Sequence, residues 1–206
     1  MSLKHYLITQ FGHPRGLTGR FVGWFMAHRS SNRRRGLWVV SLLDPRPTDR
    51  VLELGCGPGV AIRELARHAG HVHGVDHSAE MVRQARKRNA AAVRAGRVEV
   101  VQASVDRLPR FDAPLDTIMA INTVGFWPDP DQRLVELRGL LRPGGLIALA
   151  SQPRCPGATA ATTAKAGREL RDRLVRAGFT QPRLETLPLD PPVACVLATR
   201  PVTGDR

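Results

Sequence analysis

Lysine is nearly absent from this chain. Only Lys4, Lys87 and Lys165 occur, so 28 of the 31 basic residues are arginines. With abundant alanine, glycine and proline, that skew points to a GC-rich coding sequence as much as to a function. Aromatic residues make up 5%, with a single tyrosine. Cysteine is limited to Cys56, Cys155 and Cys195, an odd number set far apart. They match neither zinc-ligand nor disulfide spacing, which excludes a disulfide scaffold and fits a reducing, cytoplasmic setting. No His/Cys/Asp grouping has metal-ligand spacing, so no metal is expected. Long apolar runs are missing too. The cluster from Phe21 to Ala27 is far too short to span a bilayer. The first ten residues lack the apolar core and cleavage site of a secretory leader, so none is expected.

What remains is an ordinary globular composition. Hydrophobic residues are 42% and charged residues 24% of 206, enough for one domain with an extension. The net charge is +13, unevenly spread. Residues 1–50 carry nine basic and two acidic side chains, 9 − 2 = +7, which leaves +6 for the other 156. Such an excess permits contact with nucleic acid or an anionic membrane without requiring either.

From Arg50 onward, strand and helix patterns alternate. Strands are expected at 50–54, 71–75, 97–101, 115–121, 146–151, 182–187 and 193–199. Helices are expected at 60–69, 78–94, 131–141 and 163–177. This alternation argues for an α/β fold, a mostly parallel sheet with helices on both faces. Residues 1–49 lie outside it. Gly16 to Ser30 can form a helix with Leu17, Phe21, Trp24, Phe25 and His28 on one side. Arg33-Arg34-Arg35 follows, then an apolar stretch from Leu37 to Leu43 that Asp44-Pro45 ends.

The most specific stretch is Glu53-Leu54-Gly55-Cys56-Gly57-Pro58-Gly59. It follows the apolar Val51-Leu52 and precedes a helical pattern, so it reads strand, glycine turn, helix. Glycine lets the backbone approach a ligand closely, and the helix start offers free N–H groups. A dinucleotide fingerprint would need a third glycine at position 60, which is Val60. The spacing here is acidic-x-G-x-G-x-G. Asp76 ends the second strand, 17 residues beyond Gly59, where a carboxylate can accept hydrogen bonds from both hydroxyls of a ribose. Ser78 can cap the next helix and Glu80 sits in its first turn. Further on, Leu140 to Gly145 reads as a helix end, a Pro-Gly-Gly turn and a strand entry.

Together these segments, with Leu115-Asp116-Thr117-Ile118-Met119, resemble class I S-adenosylmethionine-dependent methyltransferases over Arg50 to Ser151, about half the chain. The resemblance implies a Rossmann-like, doubly wound seven-stranded sheet with the last strand antiparallel. It implies an N-terminal helical extension, 1–49, serving as a substrate lid over a cofactor domain, 50–206. It implies S-adenosylmethionine as cofactor, held by Glu53, Gly55, Cys56, Gly57, Gly59, Asp76, His77, Ser104, Val105 and Asn122. The backbone at Gly55 and Gly57 would face the methionine end, Glu53 would organise the turn and Asp76 would hold the ribose. The adenine corner departs from the family. An acidic residue is common there, whereas this chain has Ser104, with Asp106 two residues on.

Methyl transfer needs an acceptor held in line with the methyl group, and a base only if the acceptor must lose a proton. His13 and His28, in the N-terminal segment, are the candidates, since histidine titrates near neutral pH. Asn122-Thr123-Val124-Gly125 is not the Asn/Asp-Pro-Pro-Tyr/Phe pattern of amino-methylating enzymes, which argues against base methylation. Phe126 and Trp127 either wall an apolar pocket or pack in the core. The leading expectation is methylation of a small organic molecule by a monomer or homodimer. RNA or membrane-lipid methylation through the basic N-terminal segment is the first alternative. A non-catalytic binding protein that keeps the fold is the second.

Overall fold

A computed structural model of the chain describes residues 30–202. The expected helix over Gly16 to Ser30, with His13 and His28, lies outside these residues apart from Ser30 itself.

Helix α1 (Ser30–Leu43) precedes strand β1 (Arg50–Leu54), helix α2 (Val60–His68) and strand β2 (His71–Asp76). Helices α3 (Ala79–Arg88) and α4 (Ala90–Arg94) lead to β3 (Val98–Gln102) and β4 (Leu115–Ile121). A 3-10 turn (Val124–Phe126), α5 (Pro130–Leu140), β5 (Leu141–Ser151), α6 (Ala160–Arg176), β6 (Thr180–Leu187) and β7 (Val193–Thr199) complete the order. The seven strands form one sheet in the order β3-β2-β1-β4-β5-β7-β6. β7 pairs antiparallel with both β5 and β6, while β1 to β5 are mutually parallel. This is the Rossmann-like arrangement expected, with the final strand reversed.

The core lies on both faces of the sheet because side chains alternate along each strand. Val51, Met119 and Cys195 face α1 and α2, and join Val39, Ile62 and Leu65 in one cluster. Leu52, Leu54, Ile118 and Leu149 face the other way, against Leu134 and Leu137 of α5 and Leu170 and Leu174 of α6. Central strands buried on both faces read as near-continuous apolar runs, as β7 does and as β1 does apart from Glu53.

Several element boundaries differ from expectation, among them strand β5, which starts at Leu141 rather than 146 and takes in the Pro-Gly-Gly segment. Arg33–Arg35 lie inside α1, not before it. Arg35, Gly36, Val39, Val40 and Leu43 are buried along one helical stripe while Arg33 and Arg34 are exposed. The single helix expected over 78–94 is interrupted at Asn89. Its side-chain amide donates to the Ala85 and Gly59 carbonyls, drawing the backbone to φ −109°. Helix α6 starts at Ala160 rather than 163, because Thr159 and Thr162 form a reciprocal capping box.

At the amino ends of the strands, Asp116 ties three strands together. It accepts the Arg50 backbone N–H at 2.8 Å and the Arg142 Nε–H at 2.5 Å. Asp116→Ala is expected to cost about 1–3 kcal/mol. The urea midpoint should fall, and ligand affinity at the opposite edge of the sheet should not change. Among the described residues, no helix is long and apolar enough to cross a membrane.

Candidate functional site

In an open parallel sheet, ligands bind beyond the carboxyl ends of the strands. Here β1, β2 and β4 end in Leu54, Asp76 and Ile121, and the glycine turn, Asp76 and Asn122 meet at that edge.

The turn is built by left-handed backbone. Gly55 has φ 67° and Gly57 φ 52°, conformations that L side chains rarely adopt. A Cβ on Gly55 would lie 2.2 Å from Thr123 Cγ2, so the turn packs directly on the loop after β4. Gly57 is different. It is buried, yet a Cβ there would meet nothing within 4 Å among the described residues. Among the described residues, the backbone at Gly57 therefore borders open space rather than packed protein.

Asp76 closes the turn from below. Its Oδ2 accepts the Gly57 N–H at 2.8 Å and its Oδ1 accepts the Ser78 N–H at 2.9 Å. The side chain is buried, and burial raises its pKa against the opposing pull of the two backbone N–H groups. An ionised carboxylate has about four acceptor sites, so each oxygen keeps capacity for a hydroxyl. His77, exposed, places Nδ1 3.7 Å from Asp76 Oδ1.

Glu53 lies beneath the same turn and is 4% exposed. The Ile62 N–H in the first turn of α2 donates to its carboxylate. Its Oε2 is buried without a hydrogen-bond partner among the described residues. Burial, and then repulsion from Asp76, push its pKa up to about 8. A buried carboxylate with an orphaned oxygen suits a cationic ligand group. Cys56 is buried, with its Sγ against Gly74 of β2. Its thiol is pushed well above the usual range by burial, which makes it inert rather than nucleophilic.

The Ser104 hydroxyl donates to Asp106, holding that carboxyl below its ordinary value. Ser104, which stands where the resembled family commonly has an acidic residue, is thus hydrogen-bonded to the carboxylate two residues on. Val105 packs on the adjacent core cluster. Asn122 adopts φ 58°, which asparagine tolerates, and its Oδ1 accepts the Gln152 N–H at 2.7 Å. Its side-chain oxygen thus joins the ends of β4 and β5. Trp127 packs against the core, whereas Phe126 is 72% exposed at the same edge. Cys155 is exposed.

The fold also assembles groups that the sequence pattern did not reveal. Gln152, after β5, connects to Arg35 of α1 at 2.5 Å and to Arg154 at 3.1 Å. At the opposite edge, His71, His73 and Glu99 place ligand-type atoms within 4.8 Å of one another. The expectation that no such grouping exists is corrected by strand register, which sets Glu99 directly across from His73. Arg50 Nη2, 3.5 Å from His73 Nε2, opposes a cation there.

Residues 51–145 match the methyltransferase-domain family. The chain is 27% identical over 185 residues to the uncharacterized methyltransferase YdaC of Bacillus subtilis, covering 88% of this chain and 99% of that protein. Other curated relatives are longer, and the chain spans 45% and 49% of two of them. Among solved structures, a SAM-dependent methyltransferase from Aquifex aeolicus superposes with a TM-score of 0.69 at 19% identity, over 87% of this chain and 97% of that one. The N-methyltransferase NodS from Bradyrhizobium japonicum, in complex with S-adenosylhomocysteine, superposes with a TM-score of 0.67 at 17% identity, over 86% and 91%.

Proposed function

Because the chain belongs to the class I S-adenosylmethionine-dependent methyltransferases, we propose that it transfers the methyl group of S-adenosylmethionine to a small organic acceptor. The observation that carries this reading is the cradle at Gly57. Among the described residues, a left-handed glycine borders open space near Asp76, which accepts its N–H, and Glu53 Oε2 is buried without a partner.

When bound, the cofactor supplies a methyl group on a positively charged sulfur. The residues of the chain do the rest by binding and orientation. Glu53 Oε2 accepts from the ammonium of the methionine moiety. Asp76 accepts from the ribose hydroxyls with the lone pairs that Gly57 and Ser78 leave, with His77 beside it. Ser104, with Asp106 behind it, receives the adenine amino group, and Val105 lies against the base. Asn122 and the exposed ring of Phe126 border the acceptor side. Of the segment 1–49 expected as a lid, α1 packs in the core, so the lid that excludes water is assigned to the residues before it, where His13 or His28 takes the proton if the acceptor must lose one. No other chemistry is required of the protein, because positioning alone removes much of the barrier to an in-line displacement.

Calorimetric titration with S-adenosylhomocysteine tests this reading. A dissociation constant in the micromolar range, about −8 kcal/mol, is expected. Well-folded protein that shows no binding would sink it.

A further inference from the structure

The amino ends of β2 and β3 carry side chains that the candidate cofactor site does not use. His71 and His73 are two residues apart on β2, so both lie on one face of the sheet. Glu99 of β3 stands directly across from His73 and shares that face. Toward the carboxyl ends the same face is apolar, with Leu52, Val75 and Val101 in or against one core cluster. The change to ligand-type side chains therefore falls at the end of the sheet away from Asp76.

The three residues offer one ligand atom each, all within 4.8 Å of one another. His73 Nδ1 lies 3.3 Å from Glu99 Oε2, and the two imidazole centroids are 4.4 Å apart. A tetrahedral zinc ion about 2.0–2.2 Å from nitrogen and oxygen ligands sets those atoms roughly 3.4 Å apart. One pair already has that spacing. The others close by rotation of Glu99, which is exposed, and of His71, which is half-buried. His73 is the fixed member. It is buried, and Phe111 packs edge-on against it with ring centroids 5.0 Å apart. An apolar wall of this kind limits water around a metal. Two imidazoles and one carboxylate, with a fourth position left to water, are a zinc donor set.

Arg50 is the opposing charge. Its Nη2 is 3.5 Å from His73 Nε2, the ring nitrogen that faces away from Glu99. The same guanidinium is paired with Asp112, which offsets its charge. An ion on Nδ1 leaves the His73 proton on Nε2, facing a group that cannot accept it. Arg50 thus weakens the site without filling it.

We propose that His71, His73 and Glu99 form a zinc(II) site that joins β2 to the edge strand β3. It lies apart from the glycine turn and does not rest on the methyltransferase reading.

The test is calorimetric titration of the full chain with zinc chloride, after treatment with a chelator and dialysis. Wild type is expected to bind zinc at this site with a micromolar dissociation constant. His71→Gln and Glu99→Gln change accessible side chains and keep the fold, and each should weaken binding at least about tenfold. Arg50→Gln should do the opposite. It keeps the backbone bond to Asp116 and offers an amide oxygen to the His73 Nε2–H, so affinity should rise about tenfold. His68→Gln, on an exposed histidine of α2, should change nothing, which separates the cluster from the general affinity of surface histidines. Zinc should also raise the urea midpoint of wild type far more than that of Glu99→Gln, because Glu99 is the ligand that ties β3 to the ion. Equal zinc affinity in wild type, His71→Gln and Glu99→Gln would overturn the site, as would no binding at millimolar zinc. Unchanged or weaker binding in Arg50→Gln would overturn it too.

Discussion

Asp76→Ala is expected to reduce S-adenosylhomocysteine affinity about 100-fold or more and to lower stability by about 2–4 kcal/mol. Both effects come from one carboxylate. Its two oxygens satisfy the N–H groups of Gly57 and Ser78, in a buried setting. Alanine leaves two buried donors unpaired, at about 1–3 kcal/mol each. It also releases the glycine turn from β2, so the cradle loses its shape before any ligand contact is counted. Asp76→Asn separates the two roles. The amide oxygen can still accept one N–H, but its NH2 faces the other donor. Stability should therefore recover in part, while affinity stays low if the charge also serves the ribose. Urea unfolding and calorimetry on the same preparations check this. An unchanged affinity in Asp76→Ala would contradict both the structural role and the ribose contact.

Glu53→Gln should alter the pH dependence of stability more than any other single change among the described residues. The carboxyl is raised from 4.5 to about 8 by burial and by Asp76. An acid with a raised folded pKa is held neutral in the native state and ionises in the unfolded chain. It therefore stabilises fully below pH 4.5, and that contribution is lost as pH rises toward 8. Over this window the wild type should lose a few kcal/mol, at a slope of up to about 1.4 kcal/mol per pH unit. Glutamine abolishes the slope, so the variant should match the wild type at low pH and exceed it in stability near pH 8. Denaturant midpoints measured across that range report the difference. Parallel pH profiles for the two proteins would show that Glu53 is ionised in the fold.

The same displaced proton predicts an effect in binding. A cationic group docking against Glu53 Oε2 favours the ionised carboxylate, so binding at pH 7 should release up to about one proton. Calorimetry in buffers of different ionisation enthalpy would read that release directly, and Glu53→Gln should eliminate it.

The sequence by itself determined the strand–helix alternation, the glycine turn and the acidic end of β2. Each is written in local residues whose backbone preferences are strong: glycines at positive φ, a serine cap at Ser78, an apolar run from Val193 to Ala198 in β7. The spacing at Val60 excluded a dinucleotide fingerprint, and the turn taken together with Asp76, Leu115–Met119 and Leu140–Gly145 indicated the methyltransferase resemblance, which the fold and the relatives support. Element ends were legible only in part. Asn89 breaks a helix because its amide reaches Gly59, 30 residues away, and no local pattern encodes that reach. Tertiary structure alone decided which polar groups share an environment. Arg35 reads in sequence as one of three arginines in a basic run. Only the packing of α1 on α2 and β5 buries it while Arg33 and Arg34 stay exposed, and only the parallel register of β4 and β5 brings Gln152 and Arg154 to it. Likewise, His73 and Glu99 meet because β2 pairs with β3 in one register and not another. The physical reason is the same throughout. Backbone conformation follows from neighbours along the chain, whereas burial and charge pairing follow from neighbours in space.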